Sequence, residues 1–360
     1  MEWRFFTLAF WFAWYNGSTQ DTTRTDTTAS IRFSGYAEVY YTYDLGQPGN
    51  NERPDFLYNH KRHNEITANF LLLRAVYERE GVRGAAGLMA GTYVQYNLAH
   101  EPLALRNIYE ARVGMRLAKR RELWIDAGIF PSHLGFETVI GMDNMTLTRS
   151  LVAENSPYYE AGVMLSYHPN DRWMLAGLIL NGWQRIQRVP GQTRPAFGTQ
   201  VRYDDQAGTV LNWSTFFGYI GADELNRWRY YNNLYGTYNS GTFGATLGFD
   251  FGVQRSVPTI FAANVDGVEG WFTVVGIFRQ RFAERWWGIM RIEYFGDDGA
   301  VIGGRSLAGL SLGTDLRIND RAAWRLETRG FGSAAETFRL PDGVPTQLNV
   351  AFTTALCLKL

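Results

Sequence analysis

Along most of this chain apolar residues recur at every second position, and no run of about 18 apolar residues occurs anywhere. In FGATLGFDFGVQ (243–254), Phe243, Ala245, Leu247, Phe249, Phe251 and Val253 alternate with Gly244, Thr246, Gly248, Asp250, Gly252 and Gln254. Period two gives a strand with two unlike faces. A helical membrane protein is excluded on length, but alternation averages to neutral hydropathy, so a strand-built membrane protein is not.

The pattern predicts sixteen strands, near 31–43, 63–79, 85–97, 107–117, 122–130, 157–167, 172–183, 195–203, 209–220, 229–239, 242–254, 270–282, 286–295, 306–318, 322–332 and 346–360. Short polar turns such as HPND (168–171), NSG (239–241) and NDR (319–321) alternate with longer connections at 44–60, 98–106, 131–156, 184–194, 221–228, 255–269, 296–305 and 333–345. That regularity fits a meander of hairpins whose two ends face different compartments. It is the signature of an outer-membrane barrel with short periplasmic turns and longer outside loops. A propeller would repeat a four-stranded blade about every 40 to 50 residues, and no such repeat is visible. The expected fold is all-β: one antiparallel up-and-down transmembrane barrel.

Charge segregates by face. AWRLETRGF sets Trp324, Leu326 and Thr328 against Arg325, Glu327 and Arg329; WGIMRIEYF sets Met290, Ile292 and Tyr294 against Arg291 and Glu293. YEARVGMRL sets Tyr109, Ala111, Val113 and Met115 against Glu110, Arg112 and Arg116. An Arg or Lys on the lipid face near the midplane costs roughly 2–4 kcal/mol, so the apolar face is expected to meet lipid and the charged face water. Sixteen strands enclose more space than wall side chains fill, which predicts an aqueous lumen. Tyr40, Tyr41, Tyr43, Tyr93, Tyr96, Trp173, Trp286 and Trp287 are expected in interfacial girdles. Strands 63–79, 172–183 and 229–239 do not alternate cleanly; in the first, NFLLLRAVY puts Leu71 and Leu73 on the face of Asn69, and a bulge or an inward apolar patch is required there.

Composition supports this reading. The chain of 360 residues has 20 Tyr, 23 Phe, 12 Trp and 38 Gly, with 35 basic and 35 acidic residues balancing to zero, and nothing points to nucleic acid. Arg4 precedes an apolar run, Phe5 to Tyr15, which reads as a signal peptide over 1–18; a short interfacial anchor is the alternative. The Thr-rich segment 19–30 reads as a disordered linker, and the barrel as 31–360. The single cysteine, Cys357, supports neither a disulfide framework nor a zinc cluster.

The block LWIDAGIFPSHLGFETVIGMDNMTLTRSLVAENSPYYEAGVMLSYHPNDRWMLAGLILNGWQRIQ, with SGYAEVYYTYD, NEITANFLLLRAVYE, GLMAGTYVQYN and IYEARVG, resembles the Bacteroidota outer-membrane putative β-barrel porin-2, or OmpL-like, family. Dense similarity runs from about Ser34 to Gln187. The resemblance implies a signal peptide, an outer-membrane barrel in a Gram-negative bacterium, insertion by barrel-assembly machinery and a porin role. One departure is the end, CLKL, where such barrels usually finish on an aromatic residue.

The connection 131–156 is the longest and the third of the long ones, so by analogy with general porins it is expected to fold inward. Asp143 or Asn144 could cap a short helix there, with Leu147, Leu151 and Val152 at helical spacing and Pro157 beyond. Glu137, Asp143 and Glu154 are the candidate constriction acids. Arg112, Arg202, Arg291, Arg325 and Arg329 are the candidate wall cations, with Glu293 and Glu327 also pore-lining. The alternative leaves the loop over the mouth. No cofactor or metal is expected. His60 and His63 could reach one ion but lack further ligands, and Ser132 beside His133 lacks a third orienting group for a hydrolase. A non-conducting adhesin or scaffold is the rival class. The expected function is passive diffusion of small hydrophilic solutes, with exposed strand faces suited to lipid or a neighbouring subunit.

Overall fold

The computed structural model describes residues 30–256 and 267–360. The expected signal peptide and nearly all of the linker lie outside these, as does most of the connection expected at 255–269. The described chain is a closed antiparallel barrel of sixteen strands. They are β1 Ser30–Asp44, β2 Ile66–Arg79, β3 Val82–Ala90, β4 Ile108–Arg116, β5 Glu122–Pro131, β6 Tyr159–Asn170, β7 Trp173–Leu180 and β8 Ala196–Asp204. There follow β9 Thr209–Tyr219, β10 Trp228–Asn239, β11 Phe243–Ser256, β12 Gly267–Arg281, β13 Trp286–Gly296, β14 Leu307–Asn319, β15 Ala322–Ser333 and β16 Leu348–Lys359. Each strand pairs with its neighbours in sequence, and β1 closes the ring against β16 from Tyr36↔Lys359 to Asp44↔Ala351. A two-stranded ladder, 338–339 with 345–346, sits in the last long connection.

The outer surface is apolar, while the interior holds buried charge alongside apolar clusters. Outward residues such as Leu247 and Leu312 are 62% and 57% exposed, whereas inward Asp250, Arg291 and Ser311 are 0%, 0% and 1% exposed. Short turns close one rim; at Glu80–Gly81 both residues take positive φ (51° and 82°), the two-residue hairpin geometry that matches strand twist.

The irregularity in β2 is a bulge. Glu38 pairs with Phe70 but Val39 with Ala68, so Asn69 is the extra residue. Asn69 and Phe70 are both buried inside while Leu71 and Leu73 face outward. A second bulge lies between Gly87↔Glu110 and Leu88↔Ile108, leaving Tyr109 extra. Tyr109 therefore turns inward, 5.9 Å from Phe70 ring to ring, and not to the apolar face where simple alternation put it.

Two further expectations are corrected. The third strand ends at Ala90, and residues Thr92–Asn97 form a helix, α1. Tyr93 and Tyr96 thus leave the expected girdle: Tyr93 packs edge-on against Phe70 and Tyr158, and Tyr96 donates to Glu52. Tyr40 and Trp287 also point inward, Tyr40 toward Thr92 and Trp287 beneath Arg279.

Candidate functional site

At the level where inward charges are densest, a loop occupies much of the lumen. The loop between β5 and β6, residues 132–158, crosses to the β13–β15 wall, and the wall's sequence explains how it is held. Inward positions of β14 are small, Gly309, Ser311 and Gly313, so long side chains from β13 and β15 reach across them. A Cβ at Gly309 would come within 2.7 Å of Glu293. Arg291 reaches Glu327 at 2.8 Å and Glu293 at 3.2 Å, and Arg329 reaches Glu293 at 2.6 Å. The pairs leave donors and acceptors over, and the loop backbone takes them.

Arg291 donates to the Thr148 carbonyl (2.7 Å), and Glu327 accepts from the Thr148 N–H (2.8 Å). Glu293 accepts from the Leu151 N–H (2.6 Å), and Arg329 donates to the Arg149 carbonyl (2.7 Å). Arg325, paired with Asp315 at 2.7 Å, donates to the carbonyls of Gly141 (2.7 Å) and Met145 (2.9 Å). Buried ions are costly unless their hydrogen-bonding sites are used, and the loop's peptide groups take up most of those the ion pairs leave over; the Arg291 Nε, 3.2 Å from Glu293, has ion pairing alone.

Apolar contacts complete the seat. Val275, Ile277 and Ile289 face inward and pack with Met145 and Val152. The small inward face of β11 accommodates the loop: a Cβ at Gly248 would meet Phe136 at 2.8 Å, and one at Gly244 would meet Met145 at 2.9 Å. The expected helix is a single turn, α2 Leu151–Glu154, capped by Ser150 rather than by Asp143 or Asn144; those two lie at a separate 3-10 turn, Gly141–Asp143.

The three candidate acids are held otherwise than by the arginines of that wall. Glu137 accepts from the Ser150 N–H (3.0 Å), Asp143 pairs with Lys359, and Glu154 accepts from the N–H groups of Tyr58 (2.9 Å) and Asn59 (3.3 Å) in the β1–β2 loop. Burial raises Glu137, with Arg291 opposing, and pushes the Glu154 carboxyl up to about 7 against its backbone donors. Arg202 pairs with Asp204 at 2.9 Å on β8.

Across the lumen a second ladder lines β2–β5. Arg74 meets Glu110 at 2.7 Å, and Arg112 joins Glu110 (2.5 Å) to Asp126 (2.9 Å). Between this wall and the loop lies a cavity of about 100 Å³, lined by Arg74, Tyr109, Glu137, Asp143, Tyr158 and Tyr159 among others. The loop's polar groups are thus anchored mainly on β13–β15, while on the other side Val139 and Met142 pack with Phe70, Leu72 and Met89 of β2 and β3 beside the cavity.

Sequence reasoning missed several residues. Arg149 is buried inside the loop and donates to the carbonyls of Thr138 (2.8 Å), Leu147 (2.7 Å) and Val139 (3.0 Å), stapling it to itself. Glu38 on β1 accepts from His60 (2.9 Å), Asn69 (2.8 Å) and Tyr36 (2.6 Å), tying the β1–β2 loop inside. Inward alternation could have flagged Glu38 and Arg74; nothing local marks Arg149. His63 accepts from the Asp44 N–H (2.9 Å), the His133 Nε2 lies 2.8 Å from the Thr215 carbonyl, and the Ser132 hydroxyl accepts from the Leu134 N–H.

A model of the family described as "Putative beta-barrel porin-2, OmpL-like" matches residues 30–360. Among solved structures the chain is similar to an anion-selective porin from Comamonas acidovorans, with 9% identity, TM-score 0.60, and 92% of this chain and 100% of that one covered. It is also similar to the outer membrane channel DcaP of Acinetobacter baumannii, with 9% identity, TM-score 0.58 and 93% and 99% covered. The trimer form of OmpT, an outer membrane protein of Vibrio cholerae, gives 10% identity, TM-score 0.54 and 92% and 99% covered. At these identities the likeness is one of fold. No curated protein matches the chain.

Proposed function

The chain belongs to the putative beta-barrel porin-2, OmpL-like family, and from this we propose that it is a diffusion porin in the outer membrane of a Gram-negative bacterium, passing small hydrophilic solutes or ions. The observation that carries the reading is the asymmetric seat of the loop 132–158. Its peptide groups are fixed to Arg291, Arg325 and Arg329 on one wall, while on the other side its apolar contacts with β2 and β3 leave a cavity lined by Arg74, Tyr109, Glu137 and Asp143. Solutes cross through that gap, so the loop sets the size limit and the charged lining sets preference. In this reading Glu137, Asp143, Arg74 and Arg112 act on the permeating solute. Arg291, Glu293, Arg325, Glu327 and Arg329 act by holding the loop, and Glu154 by joining two loops. No chemical step or cofactor is involved. Delivery to the membrane uses the expected signal peptide and barrel-assembly machinery.

Planar-bilayer recording of purified protein tests this, with graded sugars added to size the opening. Discrete conductance steps that shrink as larger sugars enter support a pore. A barrel that inserts, runs heat-modifiably on gels and never conducts is a scaffold or adhesin instead. Replacing Glu137, Asp143 and Glu154 together by Ala is expected to alter conductance and selectivity; unchanged values would remove the loop from the constriction.

A further inference from the structure

Charge is unevenly compensated along the lumen. Beyond the loop's seat, toward the short-turn rim, four cations share the wall from β12 to β16: Arg279, Arg317, Arg325 and Lys359. Two carboxylates answer them. Asp315 is engaged by Arg325 at 2.7 Å, and Asp143 by Lys359. Among the described residues no carboxylate lies within ion-pairing distance of Arg279 or Arg317. The Arg279 guanidinium instead lies 4.0 Å from the centre of the Trp287 ring, and its Nε is buried without a hydrogen-bond partner. Facing strands differ in this respect, since Arg74, Arg83 and Arg112 on β2–β4 all engage Glu110 or Asp126.

Two guanidiniums with no carboxylate in direct contact, set among more cations than carboxylates, create a positive field across the lumen beside them, and such clefts concentrate counter-ions. A guanidinium also presents a planar fork of donors suited to carboxylate and phosphate oxygens. We propose that the short-turn side of the lumen is an anion-attracting vestibule centred on Arg279 and Arg317, and that the pore favours small anionic solutes, carboxylates and phosphates in particular. The proposal rests on the porin reading and adds the charge class of the solute. Aromatic stacking on Trp287 keeps Arg279 extended without neutralising it, so its charge stays available to the lumen.

The test is the reversal potential of single channels under a KCl gradient near about 0.1 M, where the screening length is about 10 Å. Wild type is expected to pass chloride in preference to potassium, with the preference fading near about 1 M salt as screening shortens to about 3 Å. R279Q/R317Q should move the reversal potential toward zero or past it, while R279K/R317K, which keeps both charges, should hold it. D143N, which releases Lys359, should shift it further toward chloride. Added inorganic phosphate should lower chloride current in wild type more than in R279Q/R317Q. Conduction that is cation-selective, or that is indifferent to the R279Q/R317Q pair, overturns the vestibule and leaves the porin standing. Loss of conduction in wild type overturns both.

Discussion

Arg325 combines two roles that ordinarily compete: it neutralises a buried carboxylate and it binds backbone from a segment 180 or more residues away in sequence. Its inward position is plain in AWRLETRGF, because alternation decides facing residue by residue. Its partners are not, since the carbonyls of Gly141 and Met145 belong to a loop with no periodicity. Arg325→Ala leaves Asp315 buried and unpaired and frees the loop's 3-10 turn. Removing one partner of a buried pair costs about 3–5 kcal/mol, so the heat-modifiability midpoint should fall, and single-channel conductance should rise and become noisy as the loop detaches. Glu154 gives a pH dependence. Burial raises its folded pKa to about 7 from the usual 4.5, so the protonated form favours the folded loop pair. The stabilisation is complete below about 4.5 and is lost as pH rises through about 7, amounting to something on the order of 1–3 kcal/mol. Protection of residues 45–65 from protease is expected to decline between pH 5 and pH 8 in wild type and to stay level in E154Q.

At the scale of elements, the strands were readable and their faults only partly so. The break at NFLLLRAVY signals a defect, and pairing identifies it as a bulge at Asn69, whose side chain then serves Glu38 and the His60 N–H. The bulge at Tyr109 leaves no such mark, because YEARVGMRL alternates without a fault and only the register with β3 exposes the extra residue. The false extension of the third strand has a single local cause. Gly91 adopts φ +117°, and a Cβ there would come within 2.5 Å of the Asn69 carbonyl oxygen, so the chain leaves the sheet and enters α1 inside the range where a strand running to 97 was expected. Gly91→Ala should therefore destabilise by something on the order of 1–3 kcal/mol and lower the heat-modifiability midpoint. Gly177→Ala, where a Cβ meets nothing within 4 Å, should leave that midpoint unchanged.

For the molecule as a whole, barrel closure was legible because connection lengths record which rim each turn occupies, and sixteen strands follow from counting them. Occupancy of the lumen was not. A barrel of this width has space inside, but whether water or loop fills it depends on hydrogen bonds between Arg291, Glu293 or Glu327 and peptide groups near Thr148 and Leu151, which no periodicity encodes. The two faces then answer to different solvents, and one substitution on each separates them. Leu312, 57% exposed near the middle of β14, faces hydrocarbon, so Leu312→Arg should cost about 2–4 kcal/mol there and reduce the folded fraction recovered in lipid. Val210 on β9 faces the lumen opposite Asp204, where an arginine finds a carboxylate and water. Val210→Arg should fold at the wild-type yield and change only ion selectivity. Equal tolerance at the two positions, measured by heat-modifiable band intensity after refolding into vesicles, would contradict a lipid-facing exterior and with it the membrane placement of the barrel.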